Sequence, residues 1–142
     1  MRKNLLFLLL IVLVISCKTQ SNEYLKFETG NAMIIGGETS ITLIPTNKKR
    51  AKNETVKIFY ANKKLDNRKI SKNEYNQIVD LYKQISIKDT AKMEGIDPPY
   101  FNIEYRRNEF KKDFCYTGNP KKGEKFRKIT ELIFESAKLQ FK

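Results

Sequence analysis

Residues 70–84 read ISKNEYNQIVDLYKQ, and this stretch decides how the rest of the chain is organised. Ser71 and Glu74 have the spacing of a capping box, in which each side chain accepts a hydrogen bond from the backbone amide of the other residue. Apolar side chains then recur at helical spacing. They are Tyr75, Ile78, Val79, Tyr82 and Ile85, with Leu81 beside them. We therefore predict an amphipathic helix over residues 72–84 that packs on the rest of the fold by one face.

Apolar and polar residues alternate on the N-terminal side of this helix, which indicates β-strands. The predicted strands are residues 24–28, 40–44 and 55–61. Pro45 ends the second strand, because proline cannot donate to a β-ladder. Residues 46–54 are rich in lysine, and we interpret them as a solvated loop.

A hairpin and a second helix are predicted on the C-terminal side. Residues 101–106 and 110–116 alternate around a turn at Arg107-Asn108, and a closing helix is predicted over residues 123–139. The order of elements lacks the repeated βαβ pattern of a parallel sheet. We predict an α+β fold, an antiparallel sheet of about five strands with two helices packed on one face. Residues 24–142 form its single domain.

The composition excludes several classes of chemistry. The chain has 142 residues, a formal charge of +12, no histidine and two cysteines. Without histidine there is no Ser-His-Asp or Cys-His catalysis, no imidazole base and no histidine-ligated zinc. Two cysteines are too few for a disulfide scaffold or a four-thiolate metal site. We therefore assign no catalytic, cofactor-binding or metal-ligating residue from the sequence.

The N-terminus resembles a bacterial lipoprotein signal. Arg2 and Lys3 form a positive head, and residues 5–15 are eleven residues without a polar side chain. This run is shorter than the about 20 apolar residues that span a bilayer as a helix. Val14-Ile15-Ser16-Cys17 follows and resembles a lipobox. The resemblance implies that residues 1–16 are a cleaved signal peptide, that Cys17 is lipidated, and that residues 17–23 form a lipidated tether.

Lipidation implies that the domain lies in the cell envelope, attached to a membrane through the lipid on Cys17. Two or more acyl chains give the stable anchoring that one chain cannot. Lys18, rather than aspartate, follows the cysteine. In enterobacteria-like sorting this favours the outer membrane over the inner membrane. The arrangement of helix, hairpin and closing helix also looks similar to small lipoproteins of Bacteroidetes-type bacteria.

Cys115 is the thiol that remains if Cys17 is acylated. It follows Phe114 in the predicted hairpin, so it lies on the opposite strand face, which Lys111 shares. A reactive thiol needs a helix N-terminus or a cationic neighbour that lowers its pKa. We expect a packed, unreactive thiol, with an intermolecular disulfide and a catalytic nucleophile as the alternatives.

Five carboxylates come nearest to a cluster in the sequence. They are Glu94, Asp97, Glu104, Glu109 and Asp113. We expect Glu104 on the outer face of its strand and Asp97 in a turn, since it precedes Pro98. A catalytic carboxylate pair has to converge on one cleft. Because acids that flank a hairpin are usually solvated, we interpret these residues as solvated.

The basic charge admits more than one kind of partner. The 22 lysines outnumber the 6 arginines, whereas bidentate base readout relies on arginine. A nucleic-acid partner is therefore not expected, least of all outside the cytoplasm. The chain is rich in lysine, asparagine and isoleucine alike, and this general compositional bias explains much of the excess positive charge without a functional role. Attraction to anionic lipid or glycan is the functional alternative.

We expect a non-enzymatic, envelope-tethered lipoprotein domain that binds a protein or glycan partner. An immunity protein against a secreted toxin is one form of such a domain. A lysozyme inhibitor fits less well, because lysozymes are commonly basic and would be repelled. One alternative is an envelope hydrolase that uses carboxylates or Cys115. The other is an assembly factor for outer-membrane components, which needs an exposed sheet edge or an apolar groove.

Replacing Cys17 tests the lipoprotein assignment. Cys17→Ala removes the thiol that receives the lipid, so we expect a precursor that is not cut after Ser16. Metabolic labelling with a fatty-acid probe should give no signal for this variant, whereas the matched control Cys115→Ser should be labelled like the unchanged chain. Labelling that persists in Cys17→Ala would overturn the assignment.

Overall fold

The structure, a computed structural model, describes residues 22–30, 38–46, 53–60, 63–90 and 98–139. The predicted signal peptide and the predicted lipidation site, Cys17, lie outside these residues. In chain order the elements are β1 (Glu23–Gly30), β2 (Thr39–Ile44), β3 (Asn53–Tyr60), β4 (Lys63–Ser71), α1 (Lys72–Lys83), a 3₁₀ helix (Ile87–Asp89), β5 (Tyr100–Arg107), β6 (Phe110–Thr117) and α2 (Lys125–Ser136).

The strands form one antiparallel sheet in the order β4-β3-β2-β1-β5-β6. The first four strands make a meander, and the β5–β6 hairpin pairs with the side of β1 that β2 leaves free. The predicted α+β class is confirmed. Within the described ranges the sheet has six strands, rather than about five.

Both helices cover the same face of the sheet. The inner face consists of fully buried side chains, among them Leu25, Leu43 and Ile103. Phe134 of α2 lies edge-on to Phe27 of β1, with ring centroids 5.5 Å apart. Tyr82 of α1 lies 5.5 Å from Tyr105 of β5, again between ring centroids. These contacts confirm that two helices pack on one side of an antiparallel sheet.

The predicted capping box starts α1. The Ser71 hydroxyl accepts from the Glu74 amide at 3.2 Å, and the Glu74 carboxylate accepts from the Ser71 amide at 2.7 Å. The Ser71 side chain and the Ser71 backbone amide both interact with the Glu74 carboxylate and hold the pKa of Glu74 below its ordinary value. The predicted apolar face is confirmed, because its five members are buried and Leu81 packs beside them.

Strand β4 is the sixth strand, and the sequence did not predict it. Its residues 63–71 read KKLDNRKIS, without a clear alternation. In the described part of the chain β4 pairs with β3 alone and forms one edge of the sheet. Charged residues on an edge strand discourage pairing with a second molecule. The polar composition that prevented the prediction of β4 from the sequence is therefore suited to an edge strand.

The hairpin and α2 differ from prediction only at their ends. The hairpin turn falls at Asn108-Glu109, one residue later than predicted, and Asn108 has a positive φ of 56°. Asparagine adopts this left-handed conformation more readily than most residues. Helix α2 runs over Lys125–Ser136, shorter than residues 123–139, because Ala137 already caps its end.

Truncating Ile133 should destabilise the fold. Ile133 is a fully buried residue of α2, so Ile133→Ala should lower the free energy of unfolding by about 2–5 kcal/mol. Leu132→Ala is the matched control, since Leu132 is only partly buried, and it should cost less. Urea denaturation of a soluble chain over residues 18–142 measures both. An unchanged midpoint for Ile133→Ala would mean that α2 does not pack as described.

Removing the cap of α1 should have a smaller effect. Ser71→Ala deletes the acceptor of the Glu74 amide and should lower the free energy of unfolding by about 1 kcal/mol. Ser71→Asp keeps an acceptor at the same position and should recover most of the loss. Equal losses in the two variants would contradict the capping role.

Candidate functional site

A cleft opens at the end of the sheet where β1 begins. Because neighbouring strands run antiparallel, β2 and β5 end there and β3 begins there. Helix α1 forms one side of the opening. The cleft has a volume of about 400 Å³, which is within the range of small-ligand sites. Its lining includes Glu23, Glu54, Tyr75, Asp80, Tyr105 and Arg107.

Glu23 accepts hydrogen bonds from two tyrosine hydroxyls in this cleft. The hydroxyls of Tyr75 and Tyr105 each lie 3.0 Å from Glu23 Oε1. Arg107 Nε lies 3.6 Å from Glu23 Oε2, and the sheet register pairs Arg107 directly with Glu23. One carboxylate therefore joins β1, β5 and α1. The prediction that Glu23 belongs to the tether is wrong, because Glu23 is the first residue of β1.

The two tyrosines act as hydrogen-bond donors at neutral pH. Burial raises the pKa of Tyr75 far above its ordinary value, and the nearby Glu23 carboxylate raises it further. Burial and the hydrogen bond to Glu23 raise the pKa of Tyr105 to about 12. Both phenols are therefore protonated at neutral pH, and neither can serve there as a general base.

Glu54 brings a second, more deeply buried carboxylate to the cleft. Only 3% of its surface is exposed. Its Oε2 accepts a hydrogen bond from the backbone amide of Thr46, and the Thr46 hydroxyl donates to the Asn53 carbonyl at 3.1 Å. The prediction of a solvated loop over residues 46–54 is wrong for Glu54. This residue belongs to β3 and, in phase with Val56, lies on the buried face.

Charges of both signs surround the opening. Helix α1 adds Lys72, Asp80 and Lys83, so acids and bases are equal in number among the described lining residues. This balance contrasts with the formal charge of +12 of the whole chain. Lys83 and Asp80 form an ion pair at 3.2 Å with both side chains more than half exposed, which contributes little to stability. The arrangement can receive a ligand that carries charges of both signs.

Glu104 lies on the outer face of the sheet, as predicted. It accepts a hydrogen bond from the Tyr24 hydroxyl, and Lys111 Nζ lies 3.1 Å from its Oε2. Although burial acts to raise it, the Tyr24 hydroxyl and the Lys111 ammonium together hold the pKa of Glu104 below its ordinary value. Glu104 is therefore an ionised acceptor within an outer-face network and does not line the cleft.

Cys115 lies on the same outer face, which confirms its alternation with Phe114. It pairs in register with Asn102. Its side chain is exposed, so the expectation of a packed thiol is wrong. The reason is that the two helices cover the inner face alone. Lys111 shares the face of Cys115, as predicted, but its ammonium is engaged by Glu104.

The carboxylates singled out in the sequence are not those of the cleft. Glu104 is half-buried on the outer face, and Glu109 and Asp113 are exposed. Glu94 and Asp97 lie outside the described residues. None of the three described acids lines the cleft.

Strand parity is the signal that could have found the cleft acids. Glu23 alternates in phase with Leu25 and Phe27, and Glu54 alternates in phase with Val56. Extending each alternation backwards by two residues puts both carboxylates on the inner face. The sequence alone gives no reason to bring the two strand ends together, because that depends on the pairing of β1, β2 and β3.

Comparisons with known proteins identify no relative of this chain. No family model, no curated protein and no solved structure matches it. Within the described ranges, no helix has the length and apolar character needed to cross a bilayer. In the same part of the chain, no three Cys, Asp or Glu side chains group closely enough to hold a metal ion.

The buried tyrosines predict a loss of stability at alkaline pH. The folded state favours their protonated forms, so this contribution is complete below the ordinary tyrosine pKa of about 10 and disappears as the pH rises through the folded-state values. Those values are about 12 for Tyr82 and Tyr105. The free energy of unfolding should therefore fall as the pH rises from about 10 to about 12.

Urea denaturation across this pH range tests that expectation. Tyr105→Phe removes one titrating group and should make the fall shallower. Leu132→Ala, which removes none, should lower the whole curve and leave its slope unchanged. A free energy of unfolding that stays constant over the range would show that the phenols are not held in their protonated forms.

Proposed function

We propose that the chain is a lipid-anchored domain of the cell envelope that binds a protein partner in this cleft and catalyses no reaction. The lipobox-like segment supports the anchor at Cys17, with the outer membrane favoured over the inner membrane. The observation that carries the proposal is the convergence of two carboxylates and two phenols on one opening. Glu23, Glu54, Tyr75 and Tyr105 are its members.

The position of the cleft relative to the anchor supports a function near the membrane. Glu23 is six residues from Cys17, and six extended residues span about 20 Å. Because Glu23 both begins β1 and lines the cleft, the tether cannot hold the cleft far from the bilayer. The partner is therefore a protein that is itself in, or close to, the membrane.

The hydrogen-bond geometry of the cleft favours binding over catalysis. Glu23 Oε1 is occupied by two donors, and Arg107 lies near Oε2. A general base must be free to take up a proton from the substrate, whereas Glu23 Oε1 already accepts hydrogen bonds from two hydroxyls of the protein. The phenols of Tyr75 and Tyr105 are protonated at neutral pH. Such a network suits a rigid recognition surface.

The charges of the lining favour a protein over an anionic glycan. The basic chain attracts anionic polymers from a distance, but the buried carboxylate of Glu54 would repel a sugar acid inside the cleft. The negative charge of Glu54 at the base of the cleft attracts a basic side chain of a partner, and Lys72 and Lys83 at the opening can meet acidic side chains. Complementary charges of both signs are a source of specificity between proteins. An anionic glycan remains a partner for the exposed lysines outside the cleft.

A hydrolase is the second candidate, because two carboxylates do line one cleft. Glycosidases use such a pair as acid and base or as acid and nucleophile. In that case purified chain should release fragments from envelope glycan, and Glu54→Gln should abolish the release. If the chain only binds a partner, neither the unchanged chain nor Glu54→Gln should release glycan fragments.

Site-specific photocrosslinking tests the binding proposal. A photoreactive amino acid in place of Asn76, an exposed residue of the cleft lining, should give a discrete adduct with one envelope protein. Glu54→Gln in the same chain should weaken that adduct, because the substitution removes the negative charge that attracts the partner's basic side chain. Gel mobility and mass spectrometry identify the adduct.

The matched control carries the photoreactive group at Asn119. Asn119 is also exposed, but it follows β6 and lies at the opposite end of the sheet from the cleft. A photoreactive group there should therefore not give the adduct. The same adduct from both positions, or none from Asn76, would contradict binding in the cleft. A thermal melt of each variant verifies that the chain remains folded.

A further inference from the structure

The turn between β5 and β6 gathers basic side chains around an exposed aromatic ring. We call residues 106–112 the hairpin tip. Its basic members are Arg106, Arg107, Lys111 and Lys112, and its one acid is Glu109. Every residue of the tip is exposed, and Phe110 exposes 57% of its surface. An apolar side chain among several cations is a combination that suits an anionic lipid surface.

The exposure of Phe110 is not explained by the core. Its ring centroid lies 6.5 Å from that of Tyr105, which packs in turn on Tyr82, and the Phe110 ring still faces solvent. Ile87 is the other large apolar side chain that is exposed within the described ranges, at 82%. Its neighbours Lys88 and Asp89 carry opposite charges, so only Phe110 combines exposure with a surplus of cations.

The cations of the tip can still bind an external anion. Arg107 and Lys111 form ion pairs with Glu23 and Glu104, yet their side chains are 63% and 54% exposed. Exposed ion pairs are weak and leave the outward side of each cation free to meet a phosphate. Lys112 Nζ lies 4.7 Å from the ring centroid of Phe114, a contact that also leaves it exposed.

The tip lies beside the point where the chain enters the fold. Glu23 pairs with Arg107 in the sheet, and Glu23 is six residues from Cys17. An extended tether spans about 20 Å, and paired strands add about 5 Å. If Cys17 carries the lipid, Arg107 is held within about 25 Å of the anchored residue.

We propose that the hairpin tip is a second membrane contact, in which its four cations bind anionic lipid headgroups and Phe110 enters the interfacial region of the bilayer. This inference rests on the proposed lipid anchor. The attraction between basic residues and an anionic leaflet falls off within a Debye length, so it needs an anchor that keeps the tip close. The contact orients the domain with the cleft next to the membrane.

A tryptophan reporter tests the contact, because the chain contains no tryptophan. Phe110→Trp is made in the full chain, which is purified from envelopes in detergent and reconstituted into vesicles. The vesicles contain either phosphatidylcholine alone or phosphatidylcholine with phosphatidylglycerol, and each is also prepared with brominated acyl chains as a quencher. We expect a blue shift of the emission and quenching in the anionic vesicles, and neither change in the neutral ones.

The reporter Ile87→Trp is the matched control. Ile87 is also exposed, and Asp89, two residues further along the chain, lines a small pocket with Tyr116. Tyr116 is six residues along β6 from Phe110 and therefore about 20 Å from it. Its emission should not change with the lipid. A response of the same size at both positions would overturn the proposal, and so would a Phe110→Trp reporter that responds equally to the two kinds of vesicle or to neither.

Charge removal tests the role of the cations. Arg106→Gln with Lys112→Gln, in the Phe110→Trp chain, should abolish the response to anionic vesicles. Lys121→Gln with Lys122→Gln removes the same charge beyond β6 and should preserve the response. A response that survives the first pair would overturn the electrostatic contact.

The mass of the N-terminal peptide separates this proposal from the one on which it rests. An unmodified Cys17 would refute the lipid anchor. A lipidated Cys17 together with an unresponsive Phe110→Trp reporter would refute the second contact alone.

Discussion

Strand β1 pairs with β2 on one side and with β5 on the other, and this double pairing joins the meander and the hairpin into one sheet. Its register puts Leu25 and Phe27 beneath the helices, where both are fully buried. The same register pairs Glu23 with Arg107 and so forms one wall of the cleft. β1 also begins six residues after Cys17, so under the proposed lipid anchor its pairing determines which end of the domain lies near the membrane.

The two carboxylates at that end are tolerated because each accepts at least one hydrogen bond. An ionised carboxylate that is buried without hydrogen bonds costs several kcal/mol, and in low dielectric a complete network is correspondingly rigid. Glu23 receives two hydroxyl donors from different elements, and Glu54 receives a backbone amide. The cleft is therefore a fixed arrangement of charge. Binding in it requires little reorganisation of the protein, which favours recognition of a matching surface.

The helices and the inner face could be predicted because both depend on local periodicity. Helix α1 follows from its capping box and apolar spacing, and the strand faces follow from alternation. Strand β4 could not be predicted, since its polar residues reflect an edge position that exists only after β3 has formed. The cleft could not be predicted from the sequence for a similar reason. Alternation assigns Glu54 to the inner face, but the meeting of Glu54 and Glu23 depends on pairings between distant residues. The exposure of Cys115 depends on which face the helices leave open.

The central claim is that β1 orients the domain, so that the end with the cleft and the hairpin tip faces the bilayer. Paramagnetic relaxation enhancement measures this orientation directly, in the lipidated chain reconstituted into nanodiscs that contain headgroup spin-labelled lipid. The account predicts the strongest enhancement at the amides of Glu23 and residues 107–110, and the weakest at residues 118–122. The strongest enhancement at residues 118–122, or equal enhancement at both ends of the sheet, would contradict it.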